Sequence, residues 1–313
     1  MNEFQTLVFL GLRGVGRVTV KNVLESQLLI GENIQDQECL DIISEVAPSI
    51  GGKLKPEDIY LSKEKAEKTL GDCERLGIVP ISYSNDLYPS QLKDLDKKAP
   101  MLLFAKGDLS VLASKKNAAV IGTRNITPEG VKAGSYITSR LVEEGYVIVS
   151  GLAKGCDTVG HSVCLDNGGR TIAVLATGID VIYPKENTEL AKRITNDGCL
   201  LSEYPPGTGA MANRFIERDR IQSGLSKGIV VVETNVKGGT MHTVEFALSQ
   251  KRRVACIRYN DDVLSPSNAG NRMLIDEKKA FPLTSRNVEE YVHLLEDSMI
   301  DEQSVDQQKL DFN

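Results

Sequence analysis

Ala118-Ala119-Val120-Ile121-Gly122-Thr123-Arg124 and Tyr146-Val147-Ile148-Val149-Ser150-Gly151-Leu152-Ala153-Lys154-Gly155-Cys156-Asp157 share one pattern: an apolar, β-branched run stops at small residues and then opens a helix. Outward from them, such runs recur at Thr171-Ile172-Ala173-Val174-Leu175, Cys199-Leu200-Leu201, Ile229-Val230-Val231-Val232 and Val254-Ala255-Cys256-Ile257, each followed by helix-forming sequence. Near-continuous apolar strands need cover on both faces, and a helix between consecutive strands forces parallel pairing. The expectation is an α/β domain over 115–285, Rossmann-like, with a doubly wound, mainly parallel sheet.

Residues 1–76 read as a small all-helical domain. Stretches 4–9 and 18–24 carry apolar residues at helical spacing on either side of Gly11-Leu12-Arg13-Gly14-Val15-Gly16, the pattern of a helical hairpin. The glycine turn admits two readings: a packing turn that exploits positive φ, or a phosphate cradle assisted by Arg13, Arg17 and Lys21. Ser62 is placed as the N-cap of a further helix. Residues 77–114 are expected to connect the two domains. Residues 286–313, acidic and Gln-rich, are expected to be disordered.

The 313-residue chain has a formal net charge of −6. Residues 286–313 hold two basic and eight acidic residues and so account for the whole excess. The rest is balanced, which leaves room for a local basic cleft. Six cysteines without a C-x-x-C pair argue against a zinc ribbon, a redox motif or a disulfide framework. Cys156 and Cys164, eight apart on one helix, read as small buried hydrophobes or as a pair sharing a face. No leader pattern opens the chain and no apolar run approaches a membrane span. A cytoplasmic protein away from the membrane is expected.

Doubly wound sheets bind ligands beyond the carboxyl ends of their strands, so the chemistry is expected in the loops there. After the first strand, Gly122, Thr123 and Arg124 offer close backbone approach, a hydroxyl and a planar guanidinium, the makings of an anion site. After the second, the small-residue loop Ser150, Gly151, Ala153, Lys154 and Gly155 runs into a helix, an arrangement that exposes N–H groups to phosphate; Asp157 reads equally as a helix cap. Neither loop has G-x-G-x-x-G or Walker spacing, so no NAD, FAD or ATP is indicated. After the fourth strand, Arg214, Phe215, Arg218 and Arg220 form a local basic segment in which Phe215 is either a stacking platform for bases or, as these residues alone favour, a core side chain beneath a solvated helix face. After the fifth, Gly238, Gly239 and Thr240 open another helix.

Taken together, AVIGTR (119–124), IVSGLAKGCDTVGH (148–161), TIAVLATGIDVIYPKEN (171–187), LLSEYPPGT (200–208), RFIERDRIQSGLS (214–226) and VVETNVKGGT (231–240) resemble, in order and interval, the DNA-processing protein A (DprA/Smf) family. GNRMLI (270–275) and the lead-in DLYPSQLKDL (86–95) extend the resemblance. It implies a cytoplasmic homodimer that binds single-stranded DNA and helps load a RecA-type recombinase in competence, natural transformation and recombination. It implies no catalytic residue, cofactor or metal. Carried over by position, the DNA site comprises Gly122, Thr123, Arg124, Ser150, Gly151, Ala153, Lys154, Gly155, Phe215, Arg218, Arg220, Gly238, Gly239 and Thr240. The chain departs from the family pattern where Phe-Pro-x-Arg-Asn-Arg reads Phe215-Ile216-Glu217-Arg218-Asp219-Arg220, where Arg258-Tyr259-Asn260 replaces a proline-glycine, and where the tail leaves no room for a winged-helix module. Two alternatives use the same loops. One is a nucleotide-sensing module. The other is a nucleoside-monophosphate phosphoribohydrolase, whose glycine-rich motif Gly238-Gly239-Thr240…Glu245 distantly resembles, with Glu245 assisting glycosidic cleavage.

Overall fold

The apolar runs become strands buried on both faces. The computed structural model describes residues 1–26, 28 and 34–297. Its first part contains α1 (Glu3–Gly11), α2 (Arg17–Glu25), α3 (Asp36–Val46), α4 (Pro48–Gly51), α5 (Pro56–Leu76), β1 (Val79–Ser82) and β2 (Leu102–Gly107). There follow β3 (Asn117–Ile121), α6 (Pro128–Glu143), β4 (Val147–Ser150), α7 (Cys156–Asp166), β5 (Thr171–Leu175), α8 (Thr188–Asp197) and β6 (Gly198–Ser202). The chain continues through α9 (Ala212–Leu225), β7 (Gly228–Val231), α10 (Thr240–Ser249), β8 (Arg253–Ile257), α11 (Ala269–Asp276), β9 (Phe281–Leu283) and α12 (Val288–Glu296).

One sheet runs β1-β2-β6-β5-β4-β3-β7-β8-β9. All neighbours from β6 to β9 are parallel, so the Rossmann-like, doubly wound architecture stands. Alternate residues of each strand serve opposite cores, as the pleat requires. Ala119, Val149 and Val231 pack with Ile221 and Leu225 of α9, while Val120, Ile148 and Val230 pack with Ile137 and Leu141 of α6.

Two stretches differ from expectation. The presumed connector contributes β2, antiparallel to β6, and β1, antiparallel to β2. The sheet therefore begins well before residue 115. The stretch from 286, expected to be disordered, forms α12, whose Val288, Tyr291, Val292 and Leu295 are buried at i, i+3, i+4 and i+7. The Tyr291 hydroxyl donates to the Ile229 carbonyl at 3.1 Å. Residues 298–313 lie outside the described residues.

In the helical part, Val8, Phe9, Val20, Ile43 and Ile59 form a core of their own. Ser62 lies within α5 rather than capping it and donates to the Val8 carbonyl at 2.7 Å. Gly11 faces it, because a Cβ there would overlap the hydroxyl. At the hairpin, Gly14 has φ +84°, Lys21 pairs with Asp96, and Arg17 pairs with Glu217 of α9 at 2.8 Å. Two of the three cations expected at a phosphate are thus spent on docking this unit against the α/β part. Among the described residues no helix is long and apolar enough to cross a membrane.

Candidate functional site

Parallel strands bring all their carboxyl ends to one edge, and the sheet's two halves part where β3 meets β7. At such a switch point the loops diverge and leave a crevice. Here it is a cavity of about 800 Å³. Gly122, Thr123 and Arg124 after β3 form one wall, and Gly238, Gly239 and Thr240 at the start of α10 form another. Ala153 comes from the loop after β4, Asp157 from the first turn of α7, Tyr183 from the loop after β5, and Phe215, Arg218 and Asp219 from α9.

At the mouth, the exposed Arg124 guanidinium lies over the Phe215 ring, 5.2 Å from its centroid. Among the described residues no carboxylate pairs with Arg124. Tyr183, 46% exposed, meets Phe215 edge-on at 5.6 Å. Met211 and Ile216, which also line the cavity, are exposed beside them. A cation and flat apolar surface therefore sit side by side in solvent, a pairing that holds a phosphate and stacks a base together.

The floor has a different character. Arg218 is 5% exposed and donates to the Gly151 carbonyl at 2.8 Å, to the Val174 carbonyl, and through Nε to Asp219 at 3.1 Å. Asp157 accepts from the Gly151 and Ala153 N–H groups, each at 3.2 Å. Burial pushes the carboxyls of both Asp157 and Asp219 up, with Arg218 as the chief opposing influence.

That bonding corrects part of the expected site. The β4 loop is not the open phosphate cradle expected, because two of its N–H groups, those of Gly151 and Ala153, are taken up by the chain's own Asp157. The Ser150 hydroxyl donates to the Val120 carbonyl at 2.6 Å. Gly155, at φ +76°, permits a close approach to the Thr123 carbonyl, which a Cβ would overlap. Lys154 is exposed but pairs with Glu186 at 2.6 Å, outside the cavity lining. Arg220 is 1% exposed and spends its guanidinium on both Glu203 oxygens at 2.7 Å and on the Lys98 carbonyl at 2.8 Å. Of the residues expected at the site, Gly122, Thr123, Arg124, Ala153, Phe215, Arg218, Gly238, Gly239 and Thr240 line the cavity; Ser150, Gly151, Lys154, Gly155 and Arg220 do not.

Sequence reasoning passed over Tyr183 and Asn235, which also line it. The signal for Tyr183 was its place in the loop after β5, an aromatic at the ligand-binding edge. Glu245, needed by the phosphoribohydrolase reading, has a 72% exposed side chain beside His242 and is not part of the lining. His161 is fully buried, with Nδ1 2.7 Å from the Thr171 hydroxyl, and desolvation pushes its pKa down to about 3. All six cysteines are buried and free.

The family model for DNA recombination-mediator protein A matches residues 80–295. The chain is 39% identical to the DNA processing protein DprA of Bacillus subtilis over 193 residues, 62% of this chain and 65% of that one. It is 38% identical to the DprA of Streptococcus pneumoniae over 233 residues, 72% and 78% of the two chains. The X-ray structure of the Streptococcus pneumoniae protein superposes with a TM-score of 0.77 at 32% identity, covering 92% of this chain and 96% of that one. A structure of DNA processing protein A from Helicobacter pylori, described for its single-stranded DNA binding mode, superposes with a TM-score of 0.62 at 25% identity over 70% and 95% of the chains. Since the family match runs from β1 into α12 and takes in the whole sheet and the cavity at its switch point, the chain belongs to the DNA recombination-mediator protein A family.

Proposed function

We propose that the protein binds single-stranded DNA across this cavity, without covalent chemistry, and presents it to a RecA-type recombinase in recombination and natural transformation, acting as a homodimer. The observation that carries the reading is the Arg124–Phe215 stack at the mouth, with Tyr183 beside it. A guanidinium over a ring offers one partner to the backbone and one to the bases, which is what an unpaired strand presents and a duplex conceals. The start of α10 adds the positive end of a helix dipole. The single-stranded DNA binding described for the Helicobacter pylori relative supports the same reading. The buried Asp157–Arg218–Asp219 group favours a binding role, because its members are held by one another and by the backbone.

The test is a titration of a labelled oligonucleotide at several salt concentrations. Binding should weaken steeply as salt rises, since neutralised phosphates release counterions. Arg124→Ala should lower affinity and reduce the magnitude of the log–log salt slope by about 1, the signature of one lost phosphate contact. Absence of binding at low salt, or an unchanged slope in Arg124→Ala, would overturn the proposal.

A further inference from the structure

A second cavity, of about 1020 Å³, lies between the helical part and the loop that joins β6 to α9. Its lining includes apolar side chains of α1 and β2, among them Leu10 and Phe104, together with Tyr204 and Pro205 of the loop. Helix α5 supplies Lys65, Lys68 and Asp72, which stand at i, i+3 and i+7 and so share one face. The acids in the lining are already matched: Glu217 pairs with Arg17 at 2.8 Å, Glu203 with the buried Arg220 at 2.7 Å, and Asp72 with Arg75 at 2.9 Å. Lys65 and Lys68 are exposed and, among the described residues, have no acidic partner. Two cations are therefore left unspent. Beside them the Arg214 guanidinium lies over the Tyr204 ring, 5.2 Å from its centroid, the same separation as Arg124 over Phe215. Arg214 and Phe215 are consecutive on α9 and diverge by about 100° around the helix, so the two stacks serve different sides of it. Met211 and Ile216 line the first cavity while Asn213 and Glu217 line the second, which makes the start of α9 a wall common to both.

We propose that a single strand leaving the first cavity crosses the start of α9 and continues along this second one, where Lys65 and Lys68 hold its phosphates and Tyr204, with Arg214 over it, stacks a base. The two unspent lysines complement an anionic backbone, and the apolar lining and the tyrosine ring suit the base faces that an unpaired strand exposes. The shared wall favours one continuous strand over a separate ligand, because a chain bound on one side of α9 already lies beside the other. The inference rests on the strand-binding reading above and adds a second stretch of track, to which the helical part contributes the cations.

The experiment titrates the full chain with labelled oligo(dT) of about four and about sixteen nucleotides, the span of lengths that single-strand sites cover, at several salt concentrations. The long strand should bind more tightly and with a steeper salt dependence, because only it reaches the lysines. In a Lys65→Ala/Lys68→Ala double variant the magnitude of the log–log slope for the long strand should fall by about 1 to 2, the signature of two lost phosphate contacts, while the short strand keeps its wild-type affinity. Tyr204→Leu should weaken the long strand by about tenfold and leave its slope in place. An unchanged long-strand slope in the double variant, the result expected of a groove that takes an acidic peptide instead, overturns the inference, and so does an equal loss for the short strand. Failure of the wild type to bind either strand is a separate outcome and overturns the strand-binding reading beneath it. The long-strand slope decides the matter by itself should the short strand bind too weakly to measure or Tyr204→Leu fail to fold.

Discussion

Arg218 and Arg220 stand two positions apart on α9, and side chains at that spacing point about 200° away from one another around a helix. One of them can face the cavity, and the other must enter the protein or the solvent on the far side. Arg218 takes the cavity floor; Arg220 turns inward to Glu203 and the Lys98 carbonyl. The basic composition of the segment was legible in the sequence, but its partners lie about seventeen and more than a hundred residues away and leave no trace in local spacing. The same limit hid the Asp157 carboxylate inside the β4 loop. Arg124 was legible from its place directly after β3; Phe215, inside α9, read from its own segment as a core side chain, and only the family resemblance put it at the site. Arg220→Met should therefore act on stability: removing one partner strands the Glu203 carboxylate and costs about 3 kcal/mol or more. Thermal unfolding should show a lower midpoint, while oligonucleotide affinity per folded molecule stays at the wild-type value; a weakened affinity with an unchanged midpoint would contradict the burial.

At the scale of elements, the parallel strands were the readable part, because residues buried on both faces form unbroken apolar runs. The sheet's antiparallel margin was not, since β1 and β2 are short and flanked by turn sequence. Helix α12 was obscured by its charge, although its apolar residues keep a regular helical spacing. Its final residue has a further part in stability. Glu296 accepts from the Tyr146 hydroxyl at 2.7 Å and from Lys227 at 2.9 Å, and it pairs with Lys116 at 3.2 Å. Those bonds, the tyrosine's first, lower its pKa from 4.5 to about 2. A carboxyl whose folded pKa is depressed stabilises fully above its unfolded value, and that stabilisation fades as pH falls towards the folded value. Urea unfolding should find Glu296→Gln less stable than the wild type at pH 7, with the gap narrowing through the window from about 4.5 down to about 2. A gap that is constant across that window would show that the carboxylate's charge has no part in it.

On the scale of the whole molecule, the acidic end of α12 and the cavity lie at opposite edges of the sheet. Helix α12 ends beside Lys116 and Lys227, which lead into β3 and β7, so its acidic end lies at the amino edge of the sheet. The cavity opens at the carboxyl edge, on the opposite side. A strand bound at Arg124 would therefore lie across the sheet from the acidic end of α12. Stacking on Phe215 distinguishes strand binding in this cavity from loose attraction to a cation. The most direct test is one oligonucleotide titration of the wild type beside Phe215→Ala under identical conditions. The expected result is an affinity lower by about tenfold in the variant, the loss of one stacked base, with an unchanged melting midpoint. Equal affinities for the two proteins would contradict binding at the Arg124–Phe215 mouth.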